Sequence, residues 1–474
     1  MIHNQFLTDC ADRAITTKKL FANFRNIFLF IFCLSLIISL CVVLRETAYI
    51  PLVILIFFSF LLIIFSNIKW LIAIVILFTA CQTYAFPDAR IISFSIETIR
   101  EAIVLFAITL IVLIATKKNN FLKINIRDLP ISYILLILFG LLSLVYTESV
   151  YYGIAYIAKL FYGLAIFFLF YIFINSKSDT KYLNKLITGI FFVYLLGTII
   201  NYLRGGSLSP DTGMLLWTNP GARAIGSFYC ATLSLFFYHK YLASKSKKFL
   251  LLFLISLSAL FFSFTRIAIL GFFIGLLIHS ALERRFKPMV LICILLLLYS
   301  LFFFNTLVKE SFIVEKEEVL NLLHKREITT LVSSIRLTGR ERIWKFVIEN
   351  CCQNLVVGAG LGTTTFKLKE SFRFFDHPHS EYLTMFADLG IIGLLLFLLS
   401  FLEIIYKSIK LSVSGSNSTK HLANLVISLS IANLIFSLTD TFILYIPFSG
   451  IYIFIFYVLL NKEAKGVIGE VKSA

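Results

Sequence analysis

The chain has 474 residues, of which 59% are hydrophobic and only 15% are charged, and it contains 51 phenylalanines but only 8 prolines. A soluble fold cannot bury that much apolar surface, and a disordered chain has the opposite bias in composition. The apolar segments are continuous rather than alternating with polar residues, which excludes a membrane β-barrel. The composition therefore predicts an all-α polytopic membrane protein.

The chain is strongly basic, with 43 Lys and Arg residues against 26 Asp and Glu residues and a formal net charge of +17. In a soluble protein this excess would suggest nucleic acid binding. Here most of the basic residues lie in short loops between apolar segments, which is the pattern of topology signals in membrane proteins. We therefore expect membrane lipid, and no nucleic acid, among the partners. The 8 cysteines show no metal-binding spacing.

A helix needs roughly 20 predominantly apolar residues to cross a bilayer. By this measure the sequence contains fourteen candidate spans. The shortest and most polar of them are the weakest candidates, so the total is about 12–14. In chain order the candidates are residues 26–44, 48–66, 69–86, 99–116, 129–147, 153–175, 186–203, 223–243, 248–265, 266–282, 288–308, 381–406, 421–439 and 442–461.

The basic loops between these spans give a consistent orientation. With fourteen spans and the N-terminus inside, every basic loop falls on the cytoplasmic side, as the positive-inside rule requires. Both termini are therefore predicted to be cytoplasmic. The predicted organisation is a cytoplasmic N-terminal segment 1–25, about eleven transmembrane helices over 26–308, an external segment 309–380, about three transmembrane helices over 381–461 and a cytoplasmic tail 462–474.

The segment 309–380 is the one long polar stretch of the chain, with eleven Lys and Arg residues and nine Asp and Glu residues. This near balance of charge favours a folded, mainly helical external loop. Within it the sequence predicts an amphipathic helix from about 339 to 353. Arg336 and Arg340 near its start would contact anionic lipid or a substrate phosphate, or would simply be solvated. The glycines that follow do not open a strand–turn–helix unit, so a nucleotide site is not indicated.

The segment 376–393, DHPHSEYLTMFADLGIIG, leads into the next predicted span. Pro378 suits the first helical turn, with Asp376 or His377 as the cap. His379 would then lie in the first turn, where the helix dipole favours the neutral imidazole that a general base needs. An interfacial histidine without a role is the alternative. Because His377 and His379 lack an evident third ligand, the sequence predicts no metal site.

Two arginines lie at the predicted external face of the membrane. Arg266 stands between two apolar runs with almost no loop, and an arginine inside a span costs about 2.5–3.5 kcal/mol on insertion scales. It should therefore lie at the membrane edge or line a polar cavity. Arg223 opens another span from the same side. Together the two guanidinium groups could hold a diphosphate through planar paired donors, or both could be interfacial anchors.

These features together resemble the O-antigen ligases and the related O-antigen polymerases, which are glycan transferases of the bacterial inner membrane. The mark of this family is a His followed by Asn, Ser or Gln and, after a fixed interval, Gly-x-x-Gly, just behind a long periplasmic loop. Here the motif reads His379–Ser380, nine residues, and then Gly390-Ile-Ile-Gly393. Arg266 resembles the arginine of the family's Thr-Arg pair, and Arg223 resembles another arginine position. By itself the glycine pair is interpreted as a site of close helix packing.

The resemblance implies a donor glycan on undecaprenyl diphosphate and a lipid A–core or glycan acceptor, with the active site facing the periplasm. A ligase, the favoured reading, attaches O-antigen to lipid A–core in lipopolysaccharide biosynthesis. The resemblance also implies a metal-independent, inverting mechanism without a cofactor. In it His379 takes the proton of the acceptor hydroxyl while Arg266 and Arg223 hold the diphosphate. The further candidates for substrate contact are Arg340, Arg336 and His377.

Other functions remain as alternatives. An O-antigen polymerase would use the same chemistry to join carrier-linked repeats, and the fourteen spans counted here exceed the twelve usual for ligases of this kind. A membrane transporter would place charged residues at the bilayer midplane and break pairs of spans there, whereas the candidate groups collect at one face beside one long loop. A purely structural membrane partner would leave His379 without a role.

Overall fold

The computed structural model describes residues 128–203, 223–263, 265–284, 340–352, 354–372, 377–443 and 446–466, together with the pairs 207–208 and 215–216 and scattered positions between 69 and 95. The predicted spans 26–44, 48–66, 99–116 and 288–308 lie outside the described residues. The total of about 12–14 spans therefore stays a prediction. The chain divides into two compact units, residues 1–75 and 76–474, and the helices below belong to the second.

The described residues form eleven α-helices, one π-helical turn and two very short β ladders. The helices are α1 Ile131–Ser143, α2 Val150–Phe173, α3 Lys177–Leu203, α4 Arg223–Ser244, α5 Lys247–Phe262, α6 Arg266–Leu282, α7 Arg340–Cys351, α8 Thr363–Ser371, α9 Glu381–Ser414, α10 Asn417–Thr439 and α11 Ile451–Ala464, with the π-helical turn Ile446–Gly450 directly before α11. The ladders pair β1 Arg90–Ile91 with β2 Phe94–Ser95 and β3 Ser207–Leu208 with β4 Leu215–Leu216, both antiparallel. The all-α fold class is confirmed.

Within the described residues, four helices are long and apolar enough to cross a membrane: α2, α3 over Lys177–Ile199, α9 and α10. Each of them overlaps a predicted span, although α3 and α9 extend beyond the predicted limits 186–203 and 381–406. The amphipathic helix predicted over about 339 to 353 is present as α7. The polytopic membrane character of the chain is thus confirmed.

Helix α11 lies at the centre of the described bundle. Its residues from Ile451 to Lys462 are all buried, as expected for a helix that is apolar on nearly every side. Phe454 packs against Tyr133 of α1 with ring centroids 5.1 Å apart, and Phe456 stacks on Phe236 of α4 at the same distance. The core is therefore made of aromatic rings that several helices direct toward α11.

Helices α6 and α10 pack antiparallel, and this sets the two ends of the bundle. A Cβ on Gly271, near the start of α6, would lie 2.2 Å from the ring of Phe436, near the end of α10. Just beyond the end of α6, a carboxylate oxygen of Glu283 lies 2.7 Å from Nδ1 of His421, near the start of α10. The start of α6 and the end of α10 therefore share one end of the bundle.

Helices α2, α4 and α9 also begin at that end. The Ser227 hydroxyl of α4 donates to the hydroxyl of Thr265, the N-cap residue of α6, at 2.6 Å. The Tyr156 hydroxyl of α2 donates to the carboxylate of Glu381, the first residue of α9, at 3.3 Å. We call this the His379 end, formed by the starts of α2, α4, α6 and α9 and the end of α10. The opposite end, where those helices finish and α10 starts, is called the basic end.

Helix α9 is broken at Gly390, whose backbone has φ 64° and ψ −165°. Residues 354–362, which we call the glycine loop, enter the break, and there the Gly360 N–H donates to the carbonyl of Asp388 at 2.8 Å. A Cβ at position 390 would lie 2.2 Å from the carbonyl oxygen of Val356, so this backbone approach requires glycine. The sequence did not predict this break.

The carboxylate of Asp388 joins the glycine loop and α8 to α9. It is fully buried and accepts from the N–H of Gly362 at 2.8 Å, the N–H of Thr364 at 2.9 Å and the Thr364 hydroxyl at 2.5 Å. These donors lie at the start of α8, where N–H groups have no partner within the helix and favour an anion. Asp388 therefore caps a helix in the external segment from within a membrane-spanning one.

Candidate active site

His379 lies immediately before helix α9 and not inside its first turn. Ser380 is the N-cap residue, and its hydroxyl accepts from a backbone N–H of the first turn at 3.4 Å. The prediction that Asp376 or His377 caps a helix with Pro378 in its first turn is therefore wrong. Serine is among the strongest N-cap residues, and Ser380 stands directly before the apolar run, so the helix starts there.

The backbone of His379 is in the left-handed region, with φ 53°. Such a conformation costs a non-glycine residue of the order of 1–3 kcal/mol and persists where the surroundings enforce it. On one side the indole N–H of Trp344 donates to the Pro378 carbonyl at 2.7 Å. On the other side the Glu381 N–H donates to the Asp440 carbonyl at 3.1 Å. The segment that carries the imidazole is thus held by α7 and by the end of α10.

Asp440, at the end of α10, is the acidic partner of His379, and the sequence did not predict it. Its Oδ1 lies 3.8 Å from Nδ1 of His379 and accepts from the Thr441 N–H at 2.9 Å, and the residue is buried. A carboxylate in this position can orient an imidazole and stabilise its protonated form. A signal existed in the sequence, because Asp440 is the single Asp, Glu, Lys or Arg between Lys420 and Lys462.

The environment of His379 favours its neutral form. Burial is the main cause and lowers the pKa of the imidazole below its ordinary value. The carboxylate of Asp440 raises this pKa in part, whereas interaction with His377 and with the guanidinium of Arg340 lowers it. The net direction is downward, so the ring is neutral at neutral pH, as a general base requires. The sequence suggested the helix dipole as the cause, and the structure identifies burial as the largest one.

His377 and Arg340 lie beside His379. The rings of His377 and His379 have centroids 4.2 Å apart and planes inclined by 58°. Arg340 is the first residue of α7, and its charge acts on His379. The structure thus brings three of the predicted site residues together. Arg336 lies outside the described residues.

Arg266 and Arg223 are the first residues of α6 and α4, and both lie at the His379 end. The side chain of Arg266 is exposed, which agrees with the expectation that it avoids the apolar interior. The hydrogen bond between Ser227 and Thr265 ties the starts of these two helices to each other. The structure therefore places both arginines at the same end as the histidine. Their role in diphosphate binding stays a prediction.

Two fully buried carboxylates at this end, Glu381 and Asp388, were not predicted. Glu381 accepts from the Tyr156 hydroxyl at 3.3 Å and from the Ile443 N–H at 2.9 Å. Ile443 follows Asp440 closely in the chain, so Glu381 holds the turn that carries the partner of the histidine. Asp388 serves the fold by capping α8. The partners of both carboxylates lie far away in the chain, so the local sequence gave no signal for either contact.

The close approach of two helices at Gly390 and Gly393 stays a prediction, because the contacts of these glycines are with the glycine loop and with their own helix. A Cβ on Gly393 would lie 2.0 Å from the Cβ of Leu389, and Gly390 meets the glycine loop. Gly360 of that loop has φ 93° and lies so close to Thr147 that a Cβ would be 2.4 Å from its Cα. Gly390 and Gly360 therefore serve close backbone packing.

His377, His379 and Asp440 also form a group of metal-ligand type. Each offers one ligand atom, and the three atoms lie within 4.8 Å of one another. The expectation that the two histidines lack a third ligand is therefore wrong. The carboxylate comes from the end of another helix, so the spacing of the histidines in the chain could not reveal it.

Comparison with known protein families gives a match over part of the chain. Residues 251–398, about a third of the chain, match the protein family described as O-antigen ligase. The matched range includes Arg266 and His379, whereas Arg223 precedes it and Asp440 follows it. Among curated proteins none matches the chain.

Proposed function

We propose that the chain transfers a glycan from undecaprenyl diphosphate to an acceptor hydroxyl, because its residues 251–398 match the O-antigen ligase family. At the family level it is a glycosyltransferase of the O-antigen ligase and polymerase type. The finer proposal is an O-antigen ligase that attaches O-antigen to lipid A–core. It would act at the periplasmic face of the bacterial inner membrane, in lipopolysaccharide biosynthesis.

The pairing of His379 with Asp440 is the observation that carries the catalytic part of the proposal. With Nδ1 of the imidazole facing the carboxylate at 3.8 Å, Nε2 is the nitrogen that accepts a proton. The acceptor hydroxyl oxygen attacks the anomeric carbon and gives its proton to Nε2, while the bond from that carbon to the diphosphate oxygen breaks. Attack opposite the leaving group inverts the anomeric centre. Asp440 stabilises the imidazolium that forms.

Positive charges at the His379 end support the second part of the mechanism. The departing diphosphate gains negative charge in the transition state, and donors fixed in advance stabilise it. Arg266, Arg223 and Arg340 all begin helices at this end. A guanidinium group offers parallel N–H donors that match phosphate oxygens. Because the carrier diphosphate is an activated leaving group, the proposed reaction needs no metal ion or other cofactor.

The distribution of basic residues supports the proposed orientation. Cytoplasmic loops of membrane proteins are enriched in Lys and Arg. The described basic residues at the basic end are Lys177, Lys181, Lys185, Lys240, Lys245, Lys247, Lys248, Arg284, Lys407, Lys410, Lys420, Lys462 and Lys465. We therefore assign the basic end and both chain termini to the cytoplasm. The His379 end then faces the periplasm.

Two alternatives differ from this proposal in defined ways. An O-antigen polymerase would use the same base and arginines and would differ in the acceptor, a second carrier-linked repeat. A transporter is less well supported, because the glycine loop fills the break in α9 at Gly390.

The test is reconstitution of the purified protein in liposomes with a glycan on undecaprenyl diphosphate, with lipid A–core present or absent. Products are separated on a gel. We expect glycan attached to lipid A–core when that acceptor is present. Longer carrier-linked glycans formed without lipid A–core would identify a polymerase, and an absence of transfer in both mixtures would refute the proposed function.

A further inference from the structure

His379 and two neighbouring side chains are of the kinds that commonly bind divalent transition metals. The ligand atoms of His377, His379 and Asp440 lie within 4.8 Å of one another. We propose that these three side chains form a Zn²⁺ site and that Zn²⁺ bound there inhibits glycan transfer. The inhibition rests on the function proposed above, whereas the binding does not.

The three groups fit zinc in chemical type and nearly in distance. Zinc binds histidine nitrogen at about 2.0–2.1 Å and carboxylate oxygen at about 2.0–2.2 Å, so ligand atoms in a tetrahedral site are about 3.4 Å apart. Nδ1 of His379 and Oδ1 of Asp440 are already 3.8 Å apart. Small rotations of the two imidazoles close the remaining distance. Three protein ligands leave the fourth position for water.

The scaffold holds the ligands close to their binding positions. The two histidines flank Pro378, whose carbonyl accepts from the Trp344 indole at 2.7 Å. The backbone carbonyl of Asp440 accepts from the Glu381 N–H at 3.1 Å. An ion entering this site therefore has to order little of the chain, and outer contacts of this kind usually strengthen metal binding.

Arg340 limits the affinity of the site. Its positive charge already acts on His379 and would repel a cation, whereas the carboxylate of Asp440 attracts one. The substitution Arg340→Gln should consequently tighten metal binding. This effect distinguishes the proposed site from a metal bound anywhere else on the chain.

The same geometry explains inhibition. A zinc ion on Nδ1 of His379 occupies that lone pair and leaves the ring proton on Nε2. Nε2 is then a donor and cannot take the proton of the acceptor hydroxyl. The ion would also neutralise the carboxylate of Asp440, which otherwise stabilises the imidazolium. Zinc would thus remove the base without changing the fold.

The binding test uses Co²⁺ added to the purified full chain in detergent, because its visible absorption reports coordination, followed by displacement with Zn²⁺. We expect tetrahedral bands that Zn²⁺ abolishes. His377→Ala and Asp440→Asn should each raise the Kd at least about tenfold, and Arg340→Gln should lower it. The control is His421→Ala, because His421 contacts Glu283 at the basic end and its loss should leave the Kd for Co²⁺ unchanged. An absence of bands, bands that survive both ligand substitutions, or a cobalt–thiolate band would overturn the proposed site.

The inhibition test adds Zn²⁺ to the reconstituted transfer reaction and compares each variant with its own metal-free rate. We expect inhibition of the wild-type chain, recovery on addition of a chelator, and a loss of zinc sensitivity in His377→Ala. Full transfer at a Zn²⁺ concentration that displaces all Co²⁺ would overturn the inhibitory role. If the metal-free chain transfers no glycan but binds Co²⁺ as expected, the metal site stands and the proposed function fails.

Discussion

At the scale of single residues, the chemistry of the site depends on how His379 is held. Its left-handed backbone, with φ 53°, stands between the Trp344 contact to Pro378 and the Ser380 cap of α9. The side chain is 26% exposed, so it can be reached from the His379 end although burial lowers its pKa. In the proposed mechanism, Asp440 faces Nδ1 and leaves Nε2 for the acceptor. A base with these properties should be sensitive to the loss of either partner.

The first prediction concerns the base itself. His379→Ala should lower the initial rate of glycan transfer by at least about 10²-fold, because general-base catalysis contributes about 10²–10⁴-fold. The rate is measured in the reconstituted liposome reaction, and size-exclusion chromatography checks that the variant remains folded. His421→Ala, at the other end of the bundle, is the matched control and should retain the wild-type rate. Wild-type activity in His379→Ala would contradict its role as base.

The second prediction concerns the pH dependence of transfer. Because the reaction needs neutral His379 and burial lowers its pKa, the rate should rise with pH along an acid limb below about 6.5, the ordinary histidine value. Asp440 raises this pKa, so Asp440→Asn should lower it further and move the acid limb to lower pH. The rate on the plateau should fall by about tenfold or more, because the imidazolium loses its carboxylate. An acid limb that stays in place, or moves to higher pH, would separate Asp440 from His379 in function.

At the scale of elements, helix α9 holds the residues around His379 with its first part and binds the glycine loop at its break. Its first part starts at Ser380 and carries Glu381, which fixes the turn after α10, and Asp388, which caps α8. At Gly390 the helix admits the glycine loop, so the external segment is hydrogen-bonded to a membrane-spanning helix. Through these contacts α9 sets the position of α7 and α8 relative to His379. The break is thus a structural requirement of the site.

The third prediction tests this requirement. Gly390→Ala places a Cβ 2.2 Å from the Val356 carbonyl oxygen on a backbone with φ 64°, and it should destabilise the protein by about 1–3 kcal/mol or more. Gly189→Ala in α3 is the matched control, because a Cβ there meets nothing within 4 Å and alanine favours a helix by roughly 0.5–1 kcal/mol. Thermal unfolding in detergent should show a lower Tm for the first variant and an equal or higher Tm for the second. Equal Tm values would show that the break tolerates a side chain.

At the scale of the whole molecule, the two ends of the bundle carry different sets of residues. The described helices place a group of lysines at the basic end, while His379, Arg266 and Arg340 lie at the other. The same antiparallel packing of α6 on α10 that fixes this polarity also brings Arg266 to the end where Asp440 lies. In the proposed function, a donor carried by a membrane lipid and an acceptor at the periplasmic face would meet at that end.

The fourth prediction concerns this polarity. Alkaline phosphatase is active only outside the cytoplasm, so a fusion made after residue 372, behind α8, should be active in bacteria. A fusion after residue 466, behind α11, should be inactive, and a fluorescent protein fused at that point should fluoresce. Activities that are reversed at the two points would place the His379 end in the cytoplasm and exclude a periplasmic acceptor.

Much of the fold followed from local patterns of the sequence. Continuous apolar runs predicted the helices over 153–175 and 421–439, and two adjoining runs predicted α5 and α6 with almost no connection. The spacing of His379 and Gly390 indicated the family that residues 251–398 were found to match. Hydropathy and motif spacing are properties of a continuous stretch of chain, and so they can be read without the fold.

The sequence by itself therefore determined the membrane class and the course of most described helices, and it indicated the family that residues 251–398 match. Only the tertiary structure decided that Ser380 caps α9, that Gly390 breaks it, and that Asp440 stands beside His379. These features depend on contacts between residues that are far apart in the chain. Helix packing brings such residues together, and the local pattern of apolar residues in the sequence does not reveal which ones will meet.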